Sequence, residues 1–395
     1  MCIRMNPVQC FIPPFVLQEI SKNGSPAQQE RALHNLVSST QLRAMRAVTS
    51  GTIGFVDRPS EFTTVKERLV YDVEQGTVLP GSLARGEGDP PTDDVAVNEA
   101  YDGAGATYDL FKDVYGRNSI DDRGMTIESS VHYRIGYDNA FWDGRQMVYG
   151  DGDENLPEDE RLFNRFTIAL DVIGHELTHG ITQHESGLLY RGQPGALNES
   201  ISDVFGALVS QYASRELAEE SDWIIGKGLF TANVNGRGIR SLKEPGTAYD
   251  DPVIGKDPQP GHMDQFVDTT EDSGGVHINS GIPNHAFYVM AMEIGGYAWE
   301  KTGRIWYGTM VDKVSGDTDF QNFARLTFVT AGELYGVGSL EQQAVRSSWT
   351  EVGIKFDEGI DNGPPDPGND IGLDQSGCLQ TFMSLEAVRW FRGRG

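Results

Sequence analysis

Cysteine, basic residues and long apolar runs are scarce in this chain of 395 residues. Its three cysteines, Cys2, Cys10 and Cys378, lie at the two ends of the chain, and an odd number so placed predicts no disulfide framework. Lysine and arginine total 32 against 58 aspartates and glutamates, which gives a net charge of −26. This charge argues against nucleic acid and anionic membranes as partners, because both bind clustered basic residues.

The sequence also lacks a recognisable signal peptide and a membrane span. Residues 1–17 contain one arginine and an apolar stretch that Pro13 and Pro14 interrupt, without a small-residue cleavage site after it. No apolar run approaches the length needed to cross a bilayer. From these residues we expect a monomer that is cytoplasmic or exported by a non-classical route. The content of 38% hydrophobic and 23% charged residues is typical of a globular protein.

A pair of histidines at helical spacing is the strongest feature that is present. His175 and His179, in the run HELTH, are four residues apart. On a helix this spacing puts both imidazoles on one face, within reach of a single metal ion. Glu176 lies about 100° further round the helix, beside the ion rather than on it. The alternative is a pair of solvated or capping histidines on a core helix.

A second motif supplies a third ligand. The run NESISD at 198–203 opens another apolar-periodic stretch, in which Glu199 and Asp203 are again four residues apart. One carboxylate can therefore reach the metal and the other the imidazole ring behind it. Two imidazoles and one of these carboxylates predict a tetrahedral zinc ion with one open position for water.

Together, HELTH at 175–179, NESISD at 198–203 and GGVHINSG at 274–281 resemble the motifs of the thermolysin-like zinc metallopeptidases (gluzincins). The similarity extends from about residue 92 to 355 and includes GYDNAFWDGRQMVYGDGD at 136–153. The resemblance implies an α+β, two-lobed fold, with a β-rich N-terminal lobe, a helical C-terminal lobe and a zinc-binding helix at the cleft. It also implies a zinc-dependent neutral endopeptidase that acts on proteins or peptides. Members of the family are commonly secreted, so the resemblance implies secretion where the N-terminal residues do not.

The resemblance assigns roles to individual residues, with His175, His179 and Glu199 as the zinc ligands. Glu176 would take a proton from the attacking water, and His277 and Tyr190 would donate hydrogen bonds to the oxyanion of the tetrahedral intermediate. Three further side chains would orient these groups: Asp203 behind His175, Asn198 near His179, and Asp272 beside His277.

Substrate binding is expected along an edge strand and in one apolar pocket. In the family, a strand matched here by Asn139, Ala140 and Trp142 binds the substrate backbone by adding it to the sheet. Arg240 matches the arginine that hydrogen-bonds a substrate carbonyl beyond the scissile bond. The resemblance implies an apolar pocket beyond that bond and therefore an apolar residue on the amine side of the cut. Two phenylalanines in the pocket would make it tighter, so leucine is expected ahead of phenylalanine. The pocket residues are Phe163, Phe166, Val172 and Ile239.

The double calcium site of the family is expected to be lost. The matching positions are Asp171, Ser210, Asp222 and Lys227, so serine and lysine replace two carboxylates of the pattern. Calcium needs several oxygen ligands and little positive charge nearby. We therefore expect the Lys227 ammonium to lie among Asp171 and Asp222 in place of the ion, while calcium at other positions stays open.

The acidic run DGDENLPEDE at 151–160 begins like an EF-hand loop. Leu156 stands where the turn glycine of that motif belongs, and Leu162 stands where its bidentate glutamate belongs. The run is therefore predicted to be an acidic surface loop.

Residues 1–50 resemble the short propeptides of protealysin-like members of the family, which carry a similar Pro-Pro near the start. We expect the extended segment Phe11–Val16 to cover the cleft, a helix at Ala27–Val48 to follow, and cleavage near Ala47–Gly51 to release an intramolecular inhibitor. The Cys10 thiolate is a candidate zinc ligand that would block the site. The alternative is a simple N-terminal extension.

Three more regions complete the predicted organisation. Residues 51–190 form the β-rich lobe, 191–356 the helical lobe, and 357–395 a linker and tail of unassigned role. Period-two and helical spacings of apolar residues predict strands and helices respectively. The predicted strands are Thr52–Val56, Val65–Val73 and Met125–Ile135, with a loop at Pro80–Thr92. The predicted helices are Val95–Tyr115, Arg161–Ile173, Ile201–Leu217, Pro283–Ile294, Ile305–Val311, Phe320–Leu334, Leu340–Val352 and Ser384–Arg394.

Two other functions fit the zinc ligands alone. A different zinc hydrolase would use the same ligands on another acyl bond, but it would not need the substrate strand at Asn139. A zinc-stabilised scaffold or binding module would not need Glu176, Tyr190 and His277 around an open metal position. These residues favour the endopeptidase.

Overall fold

The structure is a computed structural model that describes residues 9–52 and 65–356, with side chains for residues 10–42 and 65–356. The predicted strand at Thr52–Val56 lies almost wholly outside these ranges. The tail at 357–395, with its predicted helix, lies outside them entirely. Among the described helices, none combines the length and the apolar character needed to cross a bilayer.

A six-stranded sheet dominates the N-terminal part of the fold. Its strands are β1 (Gln9–Cys10), β2 (Arg68–Asp72), β3 (Ser82–Arg85), β4 (Ile127–Val131), β5 (Ala140–Trp142) and β6 (Met147–Tyr149), in the order β1-β5-β6-β4-β2-β3. β2 and β6 pair in parallel with β4, whereas the other pairs are antiparallel. β5 and β6 are buried along their whole length. Strand β5 would be the edge of the sheet if β1 did not pair with it.

Two of the predicted strands are confirmed, whereas β3, β6 and the short strands within residues 224–256 were not predicted. β2 and β4 lie inside the predicted ranges Val65–Val73 and Met125–Ile135. The predicted loop Pro80–Thr92 contains β3, in which Leu83 is 58% exposed. An exposed apolar residue breaks the inside–outside alternation on which strand prediction depends.

Helix α3 (Val95–Tyr115) has the predicted bounds. The Asp94 carboxylate accepts hydrogen bonds from the backbone N–H groups of Ala96 and Val97 at its start, and Gly116 ends it at a φ of 75°. α4 (Leu170–His184) carries HELTH but starts later than predicted. The prediction of a helix from Arg161 was wrong, because residues 161–169 hold an isolated bridge and a short 3₁₀ turn.

The C-terminal part is helical, as predicted. It contains α5 (Gly192–Ser214), α6 (Asp272–Asn279), α7 (Gly281–Ile294), α8 (Lys301–Asp312), α9 (Phe320–Tyr335) and α10 (Leu340–Glu351). Two short hairpins lie between α5 and α6: β7 (Ile224–Ile225) with β8 (Arg240–Ser241), and β9 (Asp250–Asp251) with β10 (Gly255–Lys256). The core of this part contains Trp306, Phe323 and Trp349, all fully buried, with the two indoles stacked 6.1 Å apart.

Two glycines bring α4 and α5 into close contact. A Cβ atom on Gly174 would lie 3.1 Å from the Cα of Gly206, and one on Gly206 would lie 2.4 Å from the carbonyl oxygen of Asp171. Any larger residue at Gly206 would therefore push the helices apart. Since each helix carries metal-ligating side chains, this contact sets how far apart those side chains lie.

Two helices lie between β1 and β2 in the chain. α1 (Pro14–Asn23) and α2 (Pro26–Thr52) follow β1 directly. The chain is extended only as far as Pro13, and Pro14 occupies the first helical position, where its missing N–H costs nothing. The expected extended segment Phe11–Val16 was therefore too long at its C-terminal end. The predicted helix Ala27–Val48 is confirmed within α2.

His132 connects three parts of the N-terminal fold. It follows β4, and its Nε2 is 2.8 Å from Asp94 Oδ2 at the start of α3. Its Nδ1 is 2.9 Å from Asp151 Oδ1, just beyond β6. The hydrogen bond with Asp151 is the main cause that raises the pKa of His132 to about 9; burial opposes the rise and Asp94 adds to it.

The contacts of His132 with Asp94 and Asp151 predict that the free energy of unfolding depends on pH. Because the folded pKa of about 9 exceeds the ordinary value of 6.5, the stabilisation is complete below about pH 6.5 and is lost as the pH rises through about 9. His132→Asn keeps the left-handed backbone (φ 57°). At pH 6 it should lower the free energy of unfolding by about 2 kcal/mol, a value reduced for solvent screening of the partly exposed Asp94. Urea unfolding at pH 6 and pH 10 checks this, and an equal loss at both would contradict it.

Candidate active site

Helices α4 and α5 bring three potential metal ligands together. His175 and His179 come from α4 and Glu199 from α5, and one ligand atom of each lies within 4.8 Å of the others. The Glu199 carboxylate is 3.5 Å from the Nε2 atom of each imidazole. All three side chains are at most 1% exposed. The structure therefore brings together the three ligands that the sequence predicted.

The opposite sides of both imidazoles are fixed by hydrogen bonds. The Nδ1 atom of His175 is 2.8 Å from Asp203 Oδ1. The Nδ1 atom of His179 is 2.8 Å from Asn198 Oδ1 and 2.9 Å from Ser202 Oγ. The sequence analysis predicted Asp203 and Asn198 for these places but not Ser202, although it lies one helical turn after Asn198.

The remaining ligand atoms suit a zinc ion. His175 Nε2, His179 Nε2 and Glu199 Oε2 are buried, and no described residue hydrogen-bonds them. Burial lowers the pKa of His179 to about 3, so its imidazole is neutral, the form that binds metal. Two imidazoles and one carboxylate are a known catalytic zinc set with a fourth position for water or substrate.

Glu176 lies beside this group, on the same helix. Its side chain is fully buried, and its Oε2 accepts a hydrogen bond of 2.9 Å from the backbone N–H of Trp142. Burial, together with the negative charge of Glu199, raises the pKa of Glu176 well above its ordinary value. A raised pKa makes the carboxylate a better proton acceptor.

Tyr190 and His277 face Glu199 from the other side. The Tyr190 hydroxyl donates to Glu199 and lies 3.1 Å from His277 Nε2, which is 3.6 Å from Glu199. The Nδ1 atom of His277 is 2.7 Å from Asp272 Oδ1. Although burial opposes it, Asp272 and then Glu199 raise the pKa of His277.

An unusual backbone places Asp272. Four consecutive residues from Asp272 to Gly275 have φ between 49° and 89°, a left-handed turn at the start of α6. This turn lets the Asp272 carboxylate accept from both the backbone N–H of His277, at 2.8 Å, and its ring. Such backbone costs about 1–3 kcal/mol for each non-glycine residue and persists where the surrounding structure fixes it.

The Asp203 carboxylate forms hydrogen bonds with Arg240 as well as with His175. The Nε and Nη2 atoms of Arg240 lie 2.8–3.0 Å from the Asp203 oxygens, and Asn284 donates to the same carboxylate at 2.9 Å. Burial alone would raise the pKa of Asp203, but Arg240 and His175 hold it well below its ordinary value. Asp203 therefore stays charged. The sequence contained no signal for Asn284.

Strand β1 pairs with β5, the strand that was predicted to bind the substrate backbone. Phe11 donates its N–H to the carbonyl of Ala140 at 3.0 Å. The Asn139 side chain accepts from the N–H of Ile12 at 2.8 Å and donates to its carbonyl at 3.3 Å. Trp142 lies opposite Gln9 of β1 in the sheet, and its backbone N–H donates a hydrogen bond to Glu176.

The predicted pocket residues Phe163, Phe166, Val172 and Ile239 are all at most 2% exposed. The rings of Phe163 and Phe166 lie 6.0 Å apart. A Cβ atom on Gly226 would meet both Ile239, at 3.1 Å, and the ring of Phe11, at 3.4 Å. Ile239 and Phe11 therefore face each other across Gly226.

Comparisons with known proteins agree with this geometry. The family described as "Thermolysin metallopeptidase, catalytic domain" matches residues 62–183, and "Thermolysin metallopeptidase, alpha-helical domain" matches residues 186–354. The chain is 48% identical over 362 residues to the protease PrtS of Photorhabdus sp. (strain Az29), covering 91% of this chain and 95% of that protein. The chain belongs to the thermolysin family of metallopeptidases.

Other proteins of the thermolysin family are similar over most of the chain. An extracellular metalloprotease of Pectobacterium carotovorum subsp. carotovorum is 46% identical over 360 residues, 89% of this chain and 98% of that protein. The structure of the precursor of protealysin, a metalloproteinase from Serratia proteamaculans, matches with a TM-score of 0.79 at 47% identity, covering 88% of this chain and 100% of that chain. The predicted metalloendopeptidase and its α+β fold are confirmed, and the non-enzymatic zinc module is wrong.

The calcium positions of the thermolysin family look different in this chain. Lys227 donates to Asp222, and both side chains are exposed. The buried Asp171 carboxylate instead accepts the backbone N–H of Gly226 at 2.8 Å and that of Val172 at 2.8 Å. Burial raises the pKa of Asp171 to about 7. Lys227 thus forms its ion pair with Asp222, while backbone groups satisfy the buried Asp171. The expectation that the Lys227 ammonium lies among both carboxylates is therefore wrong for Asp171.

Proposed function

We propose that this thermolysin-family endopeptidase is made as a self-inhibited precursor, whose N-terminal residues occupy the substrate site until they are cleaved away. The observation that carries the proposal is the pairing of β1 with β5. Directly after β1, Phe11 and Ile12 contact Asn139, Ala140 and Arg240, which are three of the four residues expected to bind a substrate backbone.

Peptide hydrolysis would follow from the groups around the metal ligands. Bound by His175, His179 and Glu199, zinc supplies a Lewis acid that activates water at neutral pH and polarises a carbonyl. Glu176 takes the proton of the attacking water and delivers it to the leaving nitrogen. Its contact with the Trp142 N–H holds the carboxylate between the substrate strand and the ligands. Such proton transfer contributes about 10²–10⁴-fold to the rate.

Tyr190 and His277 would stabilise the negative charge that develops on the carbonyl oxygen. Both polar atoms lie near Glu199, and therefore at the metal. The raised pKa of His277, for which Asp272 is the main favourable cause, keeps the imidazole a donor. We assign Asp272 as the positioning residue for His277, and Asp203 and Asn198 as those for the two ligating imidazoles.

The N-terminal segment would inhibit because it imitates a bound substrate. Phe11 is completely buried, with its ring 5.3 Å from that of His175 and beneath the guanidinium of Arg240 at 4.6 Å. Arg240 also reaches the Phe11 carbonyl, with Nη1 at 3.4 Å. Any peptide that uses Asn139 and Arg240 in this way must first displace Phe11 and Ile12.

Cys10 takes no part in the metal site. Its side chain lies in an apolar cluster with Val73, Tyr133, Tyr137 and Phe141. Successive side chains of an extended segment point to opposite sides of it. Because the Phe11 side chain points toward His175, the Cys10 side chain points away from it. The hypothesis of a Cys10 thiolate on zinc is therefore dropped, and inhibition is assigned to Phe11 and Ile12.

Phe11→Asp should activate the full chain. Burying the phenylalanine is worth about 1.5–3 kcal/mol, so the carboxylate should weaken occupancy of the site and raise peptidase activity about tenfold or more. Activity on a fluorogenic peptide checks this, with Gln18→Asp, an exposed position on α1, as the matched control. Equal activity of the wild-type full chain and the chain freed of its N-terminal segment would contradict self-inhibition.

The pocket composition predicts the cleavage preference. We propose that Phe163, Phe166, Val172 and Ile239 accept an apolar residue on the amine side of the cut, with leucine ahead of phenylalanine because two phenylalanines narrow the space. Mass spectrometry of a digested peptide library checks this. Phe166→Leu should shift the preference toward phenylalanine, and a profile dominated by acidic or basic residues would contradict the assignment.

Two secondary proposals follow. The ion pair of Lys227 with Asp222 supports loss of the family's double calcium site, with a lysine charge at the matching position. The name of the Pectobacterium relative supports action outside the cell, which the N-terminal sequence did not indicate.

A further inference from the structure

The guanidinium of Arg31, on α2, lies in a group of oxygen atoms of the sheet-containing part. Nη1 is 2.7 Å from Asp153 Oδ1 and 3.4 Å from the carbonyl oxygen of Gly152, and Nη2 is 2.8 Å from Asn155 Oδ1. It also packs on Gly136, where a Cβ atom would lie 2.8 Å from Arg31 Cζ. The Asp153 side chain is only 2% exposed, so the predicted surface loop at 151–160 is wrong at this position.

One helical turn further along α2, Asn35 contacts the same region. Its Nδ2 is 3.2 Å from both Asp138 Oδ2 and the carbonyl oxygen of Gly136, and its Oδ1 accepts the N–H of Asp138 at 3.3 Å. Asp138 is 3% exposed. Its other oxygen, Oδ1, is buried and accepts no hydrogen bond from any described residue. A buried carboxylate with only one oxygen bonded indicates an incompletely satisfied site.

The oxygen atoms around Arg31 and Asn35 are those of a hard-cation site. The Arg31 guanidinium contacts Asp153 Oδ1, Asn155 Oδ1 and the carbonyl of Gly152, and the Asn35 amide, one turn along α2, contacts Asp138 Oδ2 and the carbonyl of Gly136. Two carboxylates, one amide oxygen and two backbone carbonyls are the mixture that calcium takes from proteins. They belong to two separate loops, 136–138 and 152–155, so the group is not an EF-hand. When α2 leaves, both buried carboxylates lose their cationic or amide donors. In a chain of net charge −26, that loss favours a replacement cation.

We propose that removal of the N-terminal segment uncovers a calcium site formed by Asp138, Asp153, Asn155 and the carbonyls of Gly136 and Gly152, and that the Arg31 guanidinium occupies this place in the full chain. The proposal rests on the proposed function only in that the segment leaves. The site is separate from Asp171 and Asp222.

The ion would support the substrate pocket. The second oxygen of Asp153, Oδ2, accepts the backbone N–H groups of Leu162 and Phe163 at 2.8 and 2.9 Å. Asp153 therefore joins the cation position to the backbone of a residue of the amine-side pocket. After the segment has left, a bound calcium ion replaces the Arg31 guanidinium as the cation beside Asp153, and it thereby keeps Asp153 in place to accept the N–H groups of Leu162 and Phe163.

Calcium binding by full-length variants tests the site without any cleavage. The background is Glu176→Gln, which cannot process itself. We expect Arg31→Ala with Asn35→Ala to bind one calcium ion more per chain than the background, with a Kd of about 10⁻⁴–10⁻³ M or below by calorimetric titration with calcium chloride. Adding Asp138→Asn or Asp153→Asn should remove it. His34→Ala, exposed on the same helix, is the matched control and should gain none.

Two results would overturn the site: no additional calcium in the double variant, or an additional ion that survives both Asp138→Asn and Asp153→Asn. If the double variant does not fold, the background chain freed of its segment by a second protease replaces it, and it must bind one calcium more than the uncleaved chain. Because the readout is bound calcium, a failure here differs from a failure of self-inhibition, which is measured as peptidase activity.

Discussion

Glu176→Gln in the chain freed of its N-terminal segment should slow peptide hydrolysis by about 10²–10⁴-fold while zinc stays bound. The amide cannot accept a proton from water, yet it is isosteric and can keep the hydrogen bond from the Trp142 N–H, which reaches Oε2 at 2.9 Å. Because Glu176 is not among the three grouped ligands, its loss should leave the metal content unchanged. Casein hydrolysis and zinc per chain by atomic absorption measure both effects.

Metal removal provides the complementary control. A chelator should abolish casein hydrolysis by the wild-type chain freed of its N-terminal segment, and added zinc should restore it, because His175, His179 and Glu199 can hold the ion. Glu219→Gln, an exposed glutamate after α5, should behave as wild type in both assays. Wild-type activity in Glu176→Gln would remove the proposed mechanism, whereas loss of zinc in that variant would reassign Glu176 as a ligand.

His277→Ala should reduce kcat by about 10²–10³-fold with little change in KM. The donor acts on charge that develops only in the transition state, and one such donor is worth about 3–4 kcal/mol. His277 is buried, 3.1 Å from the Tyr190 hydroxyl and tied to Asp272 at 2.7 Å. Steady-state kinetics on a fluorogenic peptide separate kcat from KM.

Asp272→Asn and His184→Ala are the comparison variants for His277→Ala. Asp272→Asn should cause a smaller fall in kcat, since it leaves the imidazole in place but weakens its protonation. His184→Ala, an exposed histidine at the end of α4, should leave kcat unchanged. If His277→Ala instead raised KM alone, His277 would be a substrate-binding residue with no part in stabilising the oxyanion.

The ligand set could be predicted from sequence because it depends on local geometry. Helical spacing alone puts His175 beside His179 and Glu199 beside Asp203, and NESISD follows HELTH within one helix–turn–helix unit. The links across the fold could not be predicted in the same way. Arg240 lies 37 residues from Asp203 and Asn284 lies 81 residues from it, and no periodicity connects them.

Errors in the predicted elements arose where tertiary contacts override local pattern. The apolar run from Arg161 was predicted to be a helix, but Phe163 forms a bridge with Phe230, and Asn164 donates its N–H to Leu229 at 2.8 Å. A short buried apolar run cannot be assigned by periodicity alone. Asp153 was placed at the surface for a related reason: its partners are backbone N–H groups and Arg31, which composition does not reveal.

The shortness of β5 limits what the activated enzyme can digest. If the N-terminal segment is cleaved away as proposed, the edge strand that a peptide can join has only the three residues Ala140–Trp142. In a substrate segment that is already part of a sheet or helix, the backbone N–H and C=O groups are hydrogen-bonded and cannot pair with β5. A substrate protein must therefore expose a segment without such hydrogen bonds before it is cut. Cleavage sites in native proteins should therefore fall in loops, termini and segments that open locally, at rates that follow how often those segments open.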